Sequence, residues 1–143
     1  MPHRILFLCT GNSCRSQMAE GYAKALGGEE IEAESAGIEA HGLNTRAVRI
    51  MADDGVDISG QASQVVSDGQ IRRADWVVTG CGHADEHCPM LPAGTRHRHW
   101  PLDDPARATG TEAEIDEAFR ACRDTIREQV RRLLTEIEGT GDG

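Results

Sequence analysis

The 143-residue sequence predicts an α/β fold in which a parallel sheet carries helices on both faces. Three observations point there. Continuous apolar runs, Ile5-Leu6-Phe7-Leu8 and Ala74-Asp75-Trp76-Val77-Val78-Thr79, read as strands buried on both sides. Segments with apolar residues at three- and four-residue steps alternate with such runs. The length suits one domain, residues 1–143, closing a single hydrophobic core without staples.

The elements follow in order. The first strand ends at Cys9, and a helix follows with Met18, Tyr22, Ala25 and Leu26 on one stripe until Gly27-Gly28 stops it. A short strand is expected over Ile31 to Ser35, closed by Ala36-Gly37. From Asn44, the residues Ala47, Val48 and Met51 suggest a helix ending near Gly55. The 74–79 strand breaks at Gly80, and Arg96 to Trp100 is a weaker candidate strand because of its basic residues. The last helix is the clearest. Thr111 caps it, Glu112 and Glu114 complement its dipole, and Ile115, Phe119, Cys122, Ile126, Val130, Leu133 and Ile137 form its apolar stripe. The final Gly139-Thr140-Gly141-Asp142-Gly143 is expected to fray. No internal repeat or low-complexity linker interrupts the chain.

A formal net charge of −9 and a pI near 5.0 argue against nucleic acid or acidic membranes as partners. The apolar run near the start is too short to span a membrane and lacks a signal peptide's cleavage region, so a cytoplasmic location is expected. The cysteine count is odd, five, which does not fit a secreted disulfide framework. In a reducing compartment such cysteines suggest metal binding, catalysis or redox chemistry, although Cys122, on the helix stripe, reads as a small hydrophobe. In parallel sheets ligands bind beyond the carboxyl ends of strands, and Cys9 and Cys81 both sit just past such ends.

The loop Cys9-Thr10-Gly11-Asn12-Ser13-Cys14-Arg15-Ser16 carries the strongest signal. A buried strand delivers a cysteine into small polar residues, and a helix begins at once. Successive backbone N–H groups in such a loop point inward as an anion nest, reinforced by the helix N-terminus. Arg15 adds a planar fork suited to a tetrahedral oxyanion. The same field favours a thiolate at Cys9, and Ser16 is placed to hydrogen-bond that sulfur. The plain alternative is a tight strand-to-helix turn with an incidental cysteine.

Cys81 and Cys88 lie seven residues apart, too far for their sulfurs to meet within one straight helix. A disulfide between them requires the segment to loop out or unwind, which would suit a redox switch. One rival reading is a metal site using His83 and His87, with His97 and His99 nearby, but four ligands in so short a stretch wrap poorly around zinc. Two unrelated buried thiols are the other. Asp103-Asp104-Pro105 sets two acids on a loop stiffened by proline, either an ordinary turn or a source of a general acid.

Residues 9–21, Cys9 through Gly21, resemble the signature of thioredoxin-coupled arsenate reductases, which are built on the low-molecular-weight protein tyrosine phosphatase fold. Further matches are Ser35-Ala36-Gly37-Ile38-Glu39-Ala40-His41-Gly42, Val77-Val78-Thr79 before Cys81, Cys88-Pro89-Met90, and His99-Trp100 leading to Asp103-Asp104-Pro105-Ala106. The resemblance runs from about Arg4 to the final helix. It implies a four-stranded parallel sheet flanked by helices, Cys9 as nucleophile, Arg15 as oxyanion ligand and Asp104 as general acid. It also implies a relay in which Cys81 attacks Cys9, expels arsenite and is attacked by Cys88. Arsenate would be the substrate and thioredoxin the reductant, with no tightly bound cofactor, no metal, and a monomer as the default.

Two departures stand out. Some members bind a monovalent cation through residues matching Asn12, Glu20 and Ser35 plus an acid, where this chain has Gln64, so a cation site is doubtful. Pro101-Leu102 replaces a common Gly-Phe before Asp103. The alternative is a phosphatase of the same family, which would share Cys9, Arg15 and Asp104. Such enzymes commonly carry aromatic residues after the Asp-Pro, whereas Ala106-Arg107-Ala108 follow Pro105 here, and a phosphatase has no need of Cys81 and Cys88. A non-catalytic oxyanion sensor is a third possibility.

Overall fold

A computed structural model of the chain describes residues 2–86, 88 and 90–141. His87 and Pro89, part of the metal and motif readings above, lie outside the described residues, as do Met1, Asp142 and Gly143. The strands are β1 (His3–Cys9), β2 (Ile31–Gly37), β3 (Trp76–Thr79) and β4 (Arg96–His99). The helices are α1 (Arg15–Gly27), α2 (Thr45–Asp53), α3 (Asp68–Arg73), α4 (Gly82–Glu86) and α5 (Glu112–Gly141), with single 3-10 turns at Gly28–Glu30 and Pro105–Arg107.

The four strands form one parallel sheet in the order β2-β1-β3-β4. β1 is central, pairing with β2 from His3↔Ile31 to Cys9↔Gly37 and with β3 from Ile5↔Trp76 to Leu8↔Thr79. The chain leaves β1 toward β2 on one side and returns to β3 on the other. The end of β1 is therefore the switch point where parallel sheets open a ligand crevice, and Cys9 stands there.

Alternation along the strands divides the interior in two. Ile5, Phe7, Trp76 and Val78 face α1, α2 and α5, meeting Met18, Tyr22, Ile50, Met51, Phe119 and Ile126. Leu6, Leu8 and Val77 face the other way, toward Ile71 of α3 and Ala84 of α4. On α5 the stripe buries Phe119, Ile126, Val130, Leu133 and Ile137, while Ile115 and Cys122 are half-buried. Burying each such aliphatic side chain fully stabilises the fold by about 1.5–3 kcal/mol.

Several expectations change in detail. In α1 the buried stretch runs without a break from Arg15 to Ala23, and then Ala25 and Leu26 are exposed, Leu26 by 44%. The helix starts inside the switch-point crevice, and its last turn leaves Lys24, Ala25 and Leu26 exposed while Gly27 packs close to Ile31. Thr111 caps α5 through a reciprocal pair, Glu114 N–H to Thr111 Oγ1 (3.1 Å) and Thr111 N–H to Glu114 Oε1 (3.2 Å). That helix runs past Gly139 to Gly141 rather than stopping at the glycine. β4 does form, as an exposed edge strand whose Arg96 and Arg98 lie over the Trp76 ring at 5.2 and 5.1 Å. Charged side chains on an edge deter pairing with another chain. No described helix is long and apolar enough to cross a membrane.

Candidate active site

The loop after β1 is held by its carbonyl groups. Ile38 N–H donates to Cys9 O (3.2 Å), Glu39 N–H to Thr10 O (2.8 Å), His41 N–H to Gly11 O (2.8 Å) and Asn44 N–H to Ser13 O (3.1 Å). The segment after β2 thus takes the loop's carbonyls and leaves its amides for the crevice. The crossing is tight. A Cβ at Gly37 would sit 2.2 Å from Glu39 O and 2.7 Å from Asn12 N, backbone atoms that cannot yield.

Asn12 is the pivot. It is fully buried and the one described non-glycine residue with positive φ, 47°. Its Nδ2 donates to Ser16 Oγ and Ser35 Oγ, both at 2.9 Å, and its Oδ1 accepts from Gln64 N–H at 2.9 Å. Ser35 donates to Glu20 Oε1 at 2.6 Å. Because a carboxylate only accepts, Ser35's proton goes to Glu20 and its oxygen takes one Asn12 proton. Ser16 Oγ takes the other, which leaves the Ser16 proton free for Cys9 Sγ, 2.9 Å away. The directions of the whole chain fit an acceptor at Cys9. Glu20 is closed off by Lys24 at 2.5 Å, and the Gln64 side chain donates to Ser35 O at 3.1 Å. With an ammonium on Glu20 and a neutral amide at Gln64, these residues do not fit a monovalent cation.

Arg15 opens α1 and is 8% exposed. Its Nη1 donates to Leu102 O at 3.2 Å, its Nη2 lies 3.6 Å from Asp104 Oδ2, and its buried Nε has no partner. Asp104 caps the following 3-10 turn by accepting from Ala106 N–H at 3.0 Å. Asp103, its neighbour, is exposed. Cys81, directly beyond β3, is buried; its sulfur lies 3.2 Å from Thr10 Oγ1 and accepts from Ala84 N–H at 3.3 Å. Cys9, Thr10, Arg15, Cys81, Asp104 and Arg107 all line one cavity of about 630 Å³. Cys88 packs half-buried against the second core, its N–H reaching Asp85 O at 3.4 Å.

The other cysteines separate by environment. Burial pushes the Cys14 thiol up to about 12, and Cys122 likewise to about 12, so both stay protonated and poorly nucleophilic at neutral pH. Cys14 belongs to the oxyanion loop yet serves as packing. Cys122 lies beside the acid loop, 3.9 Å from Asp103 O, a proximity that its place on a helix stripe did not reveal. Cys88 is also pushed up, by burial and then by the Asp85 charge. Two residues that the sequence did not single out join the site. His41 lies against Gly11, where a Cβ would meet Nδ1 at 2.2 Å, and Arg107 reaches the cavity mouth. Among the described residues, no three His, Cys, Asp or Glu side chains converge as a metal site.

A switch-point cysteine in an amide-lined loop closed by arginine matches one family model, low molecular weight phosphotyrosine protein phosphatase, over residues 4–141. The chain belongs to that family. Its relatives include arsenate reductases of Bacillus licheniformis and Bacillus subtilis, 52% and 53% identical over 129 residues, covering 90% of this chain and 93% of each relative. Among solved structures, an arsenate reductase in a phosphate-binding state superposes with a TM-score of 0.78 at 34% identity, covering 94% of this chain and 98% of the other. An arginine phosphatase from Geobacillus stearothermophilus superposes at 0.77 with 26% identity, covering 97% and 95%. The structural neighbours thus include a reductase and a phosphatase, and the relatives near 50% identity are arsenate reductases.

Proposed function

We propose that this chain reduces arsenate to arsenite through Cys9, Cys81 and Cys88. The observation that carries the reading is that Cys9 and Cys81, 72 positions apart in sequence, open onto one cavity lined by the loop after β1 and by Arg15. A phosphatase of this fold needs only the first of them. Arsenate binds the amides of residues Thr10–Ser16 and the Arg15 guanidinium. The Cys9 thiolate, held by Ser16, attacks arsenic. Asp104 gives its proton to the departing oxygen, which leaves as water.

The Cys81 thiolate then attacks Cys9 Sγ. The electron pair of the breaking S–As bond stays on arsenic, which leaves as arsenite, and a Cys9–Cys81 disulfide forms. Cys88 next attacks Cys81 Sγ, Cys9 departs as a thiolate, and the oxidising equivalents rest in a Cys81–Cys88 disulfide. A thioredoxin-type dithiol reduces that bond. The chain works as a monomer in the cytoplasm with no tightly bound cofactor. A monovalent cation is not needed where Lys24 already neutralises Glu20.

The test is arsenate-dependent oxidation of NADPH in the presence of thioredoxin and its reductase. Wild type is compared with Cys9→Ser, Cys81→Ser and Cys88→Ser. Turnover by wild type alone supports the relay. If all four proteins are silent with arsenate while Cys9 still hydrolyses aryl phosphates, the protein is a phosphatase and the reductase reading falls.

A further inference from the structure

The segment between Cys81 and Cys88 is anchored to the sheet by one carboxylate. Asp85, on α4, accepts from Thr79 Oγ1 at 3.0 Å and from His97 Nε2 at 3.1 Å, with His99 Nδ1 at 3.9 Å. Thr79 is fully buried at the end of β3, and its hydroxyl lies 2.8 Å from His99 Nδ1. Donor logic orders the cluster. Thr79 has one proton, which goes to the acceptor-only Asp85, so its oxygen accepts from a protonated Nδ1 of His99. His97 gives its Nε2 proton to Asp85. Among the described side chains between the two cysteines, Asp85 alone bonds to the sheet. The arginines of β4 turn to the opposite face, over Trp76, so the two imidazoles are the basic groups of β4 that meet Asp85.

The relay proposed above requires this segment to change shape. Bonded cysteines need Cα atoms within roughly 7 Å, whereas Cys81 and Cys88 flank α4, whose five helical residues alone rise roughly 7.5 Å between them. Forming the Cys81–Cys88 bond therefore unwinds α4, and Asp85, midway between the cysteines, leaves Thr79 and the imidazoles. All of these hydrogen bonds belong to the reduced, helical form. The same helical form gives Cys81 Sγ its bond from Ala84 N–H and keeps that sulfur beside Thr10.

We propose that Asp85, held by Thr79, His97 and His99, is a positioning residue that latches the redox segment in its helical form. The latch presents Cys81 to Cys9 for the first exchange and raises the reduction potential of the Cys81–Cys88 disulfide. It thereby makes the spent enzyme easier for a dithiol partner to reduce. This inference rests on the three-cysteine reading.

The experiment uses the full chain in a Cys9→Ser background, which isolates the second couple, equilibrated against a dithiothreitol redox buffer. Asp85→Asn and the double variant His97→Gln/His99→Gln are compared with their parent. Each is expected to raise the disulfide-to-dithiol ratio about tenfold, a potential about 30 mV more negative, and to speed amide exchange over residues 82–86 in the reduced protein. A ratio within twofold of the parent in both variants overturns the latch. The histidine variant touches only an exposed edge strand, so it carries the test even if Asp85→Asn folds poorly. If the five-cysteine protein forms no Cys81–Cys88 disulfide on treatment with arsenate, the relay itself fails. If it forms one and the ratios stand unchanged, the latch fails alone.

Discussion

Replacing Asn12 by alanine tests whether the network behind the loop organises Cys9. The substitution removes three bonds, to Ser16, Ser35 and Gln64, and leaves a backbone at φ 47° that alanine tolerates less well than asparagine. The Gln64 N–H loses its acceptor, at a cost of about 1–3 kcal/mol, and left-handed strain adds about 1 kcal/mol. The total is roughly 2–4 kcal/mol. For a chain of this size each kcal/mol lowers the melting temperature by roughly 3–4 °C, so a fall of roughly 6–16 °C is expected. Asn12→Gly loses the same bonds but not the backbone freedom, and should recover roughly 3–4 °C relative to alanine. In both variants Ser16 is no longer oriented, and alkylation of Cys9 by iodoacetamide, followed by mass spectrometry, should slow several-fold. If Asn12→Ala melts within 2 °C of wild type (taking ~2 °C as well under the shift expected above) and alkylates at the wild-type rate, the directional network has no role in the site.

Three further outcomes follow from the geometry. Arg107→Gln removes a cation from the cavity mouth that pairs with no acid among the described residues, so KM for arsenate should rise several-fold and lose much of its salt dependence, with kcat unchanged. With both thiols at about 12, Cys14 and Cys122 should resist iodoacetamide in folded protein at neutral pH and react only after denaturation. Asp116 is held down at about 2, below its ordinary 3.8, by hydrogen bonds from Arg49 and then Arg46. A depressed folded value means its contribution is present above about pH 4 and lost as pH falls toward 2. The melting temperature of Asp116→Asn should therefore lie furthest below wild type at neutral pH and converge with it in acid.

The sheet and the oxyanion loop were legible because their signals are local. An apolar run that ends in a cysteine, small polar residues and a helix start fit into fourteen residues, Arg4 to Gln17. Ser67-Asp68-Gly69-Gln70 also held a readable capping box, realised in α3, but six helical residues give too little periodicity to stand out. Leu26 misled because periodicity records which face a residue takes and not where the neighbouring sheet ends. The cluster of Thr79, Asp85, His97 and His99 was out of reach for another reason. It depends on β4 lying beside β3, and that register follows from topology. The four histidines near the second cysteine pair suggested a metal site, a reading that does not anticipate two of them beside an aspartate.

An acidic protein that binds an anion needs a local solution, and Arg15 shows how little it takes. Charges beyond roughly 8–10 Å are largely screened, so the net −9 spread over the surface weighs little at the floor of the crevice. There the donors are loop amides and a guanidinium with five N–H groups. One of these reaches Leu102 O, the Asp104 oxygen lies at a long 3.6 Å, and Nε has no partner. The arginine is thus held in place by its stem and one carbonyl while most of its donors stay uncommitted. Asp104 competes only weakly for them, and its own anchor is the Ala106 N–H. An arriving oxyanion takes the free donors and finds the carboxyl group beside the same guanidinium. That arrangement suits the role proposed for Asp104, protonation of the departing oxygen, because its carboxyl group lies 3.6 Å from the guanidinium that would hold the oxyanion.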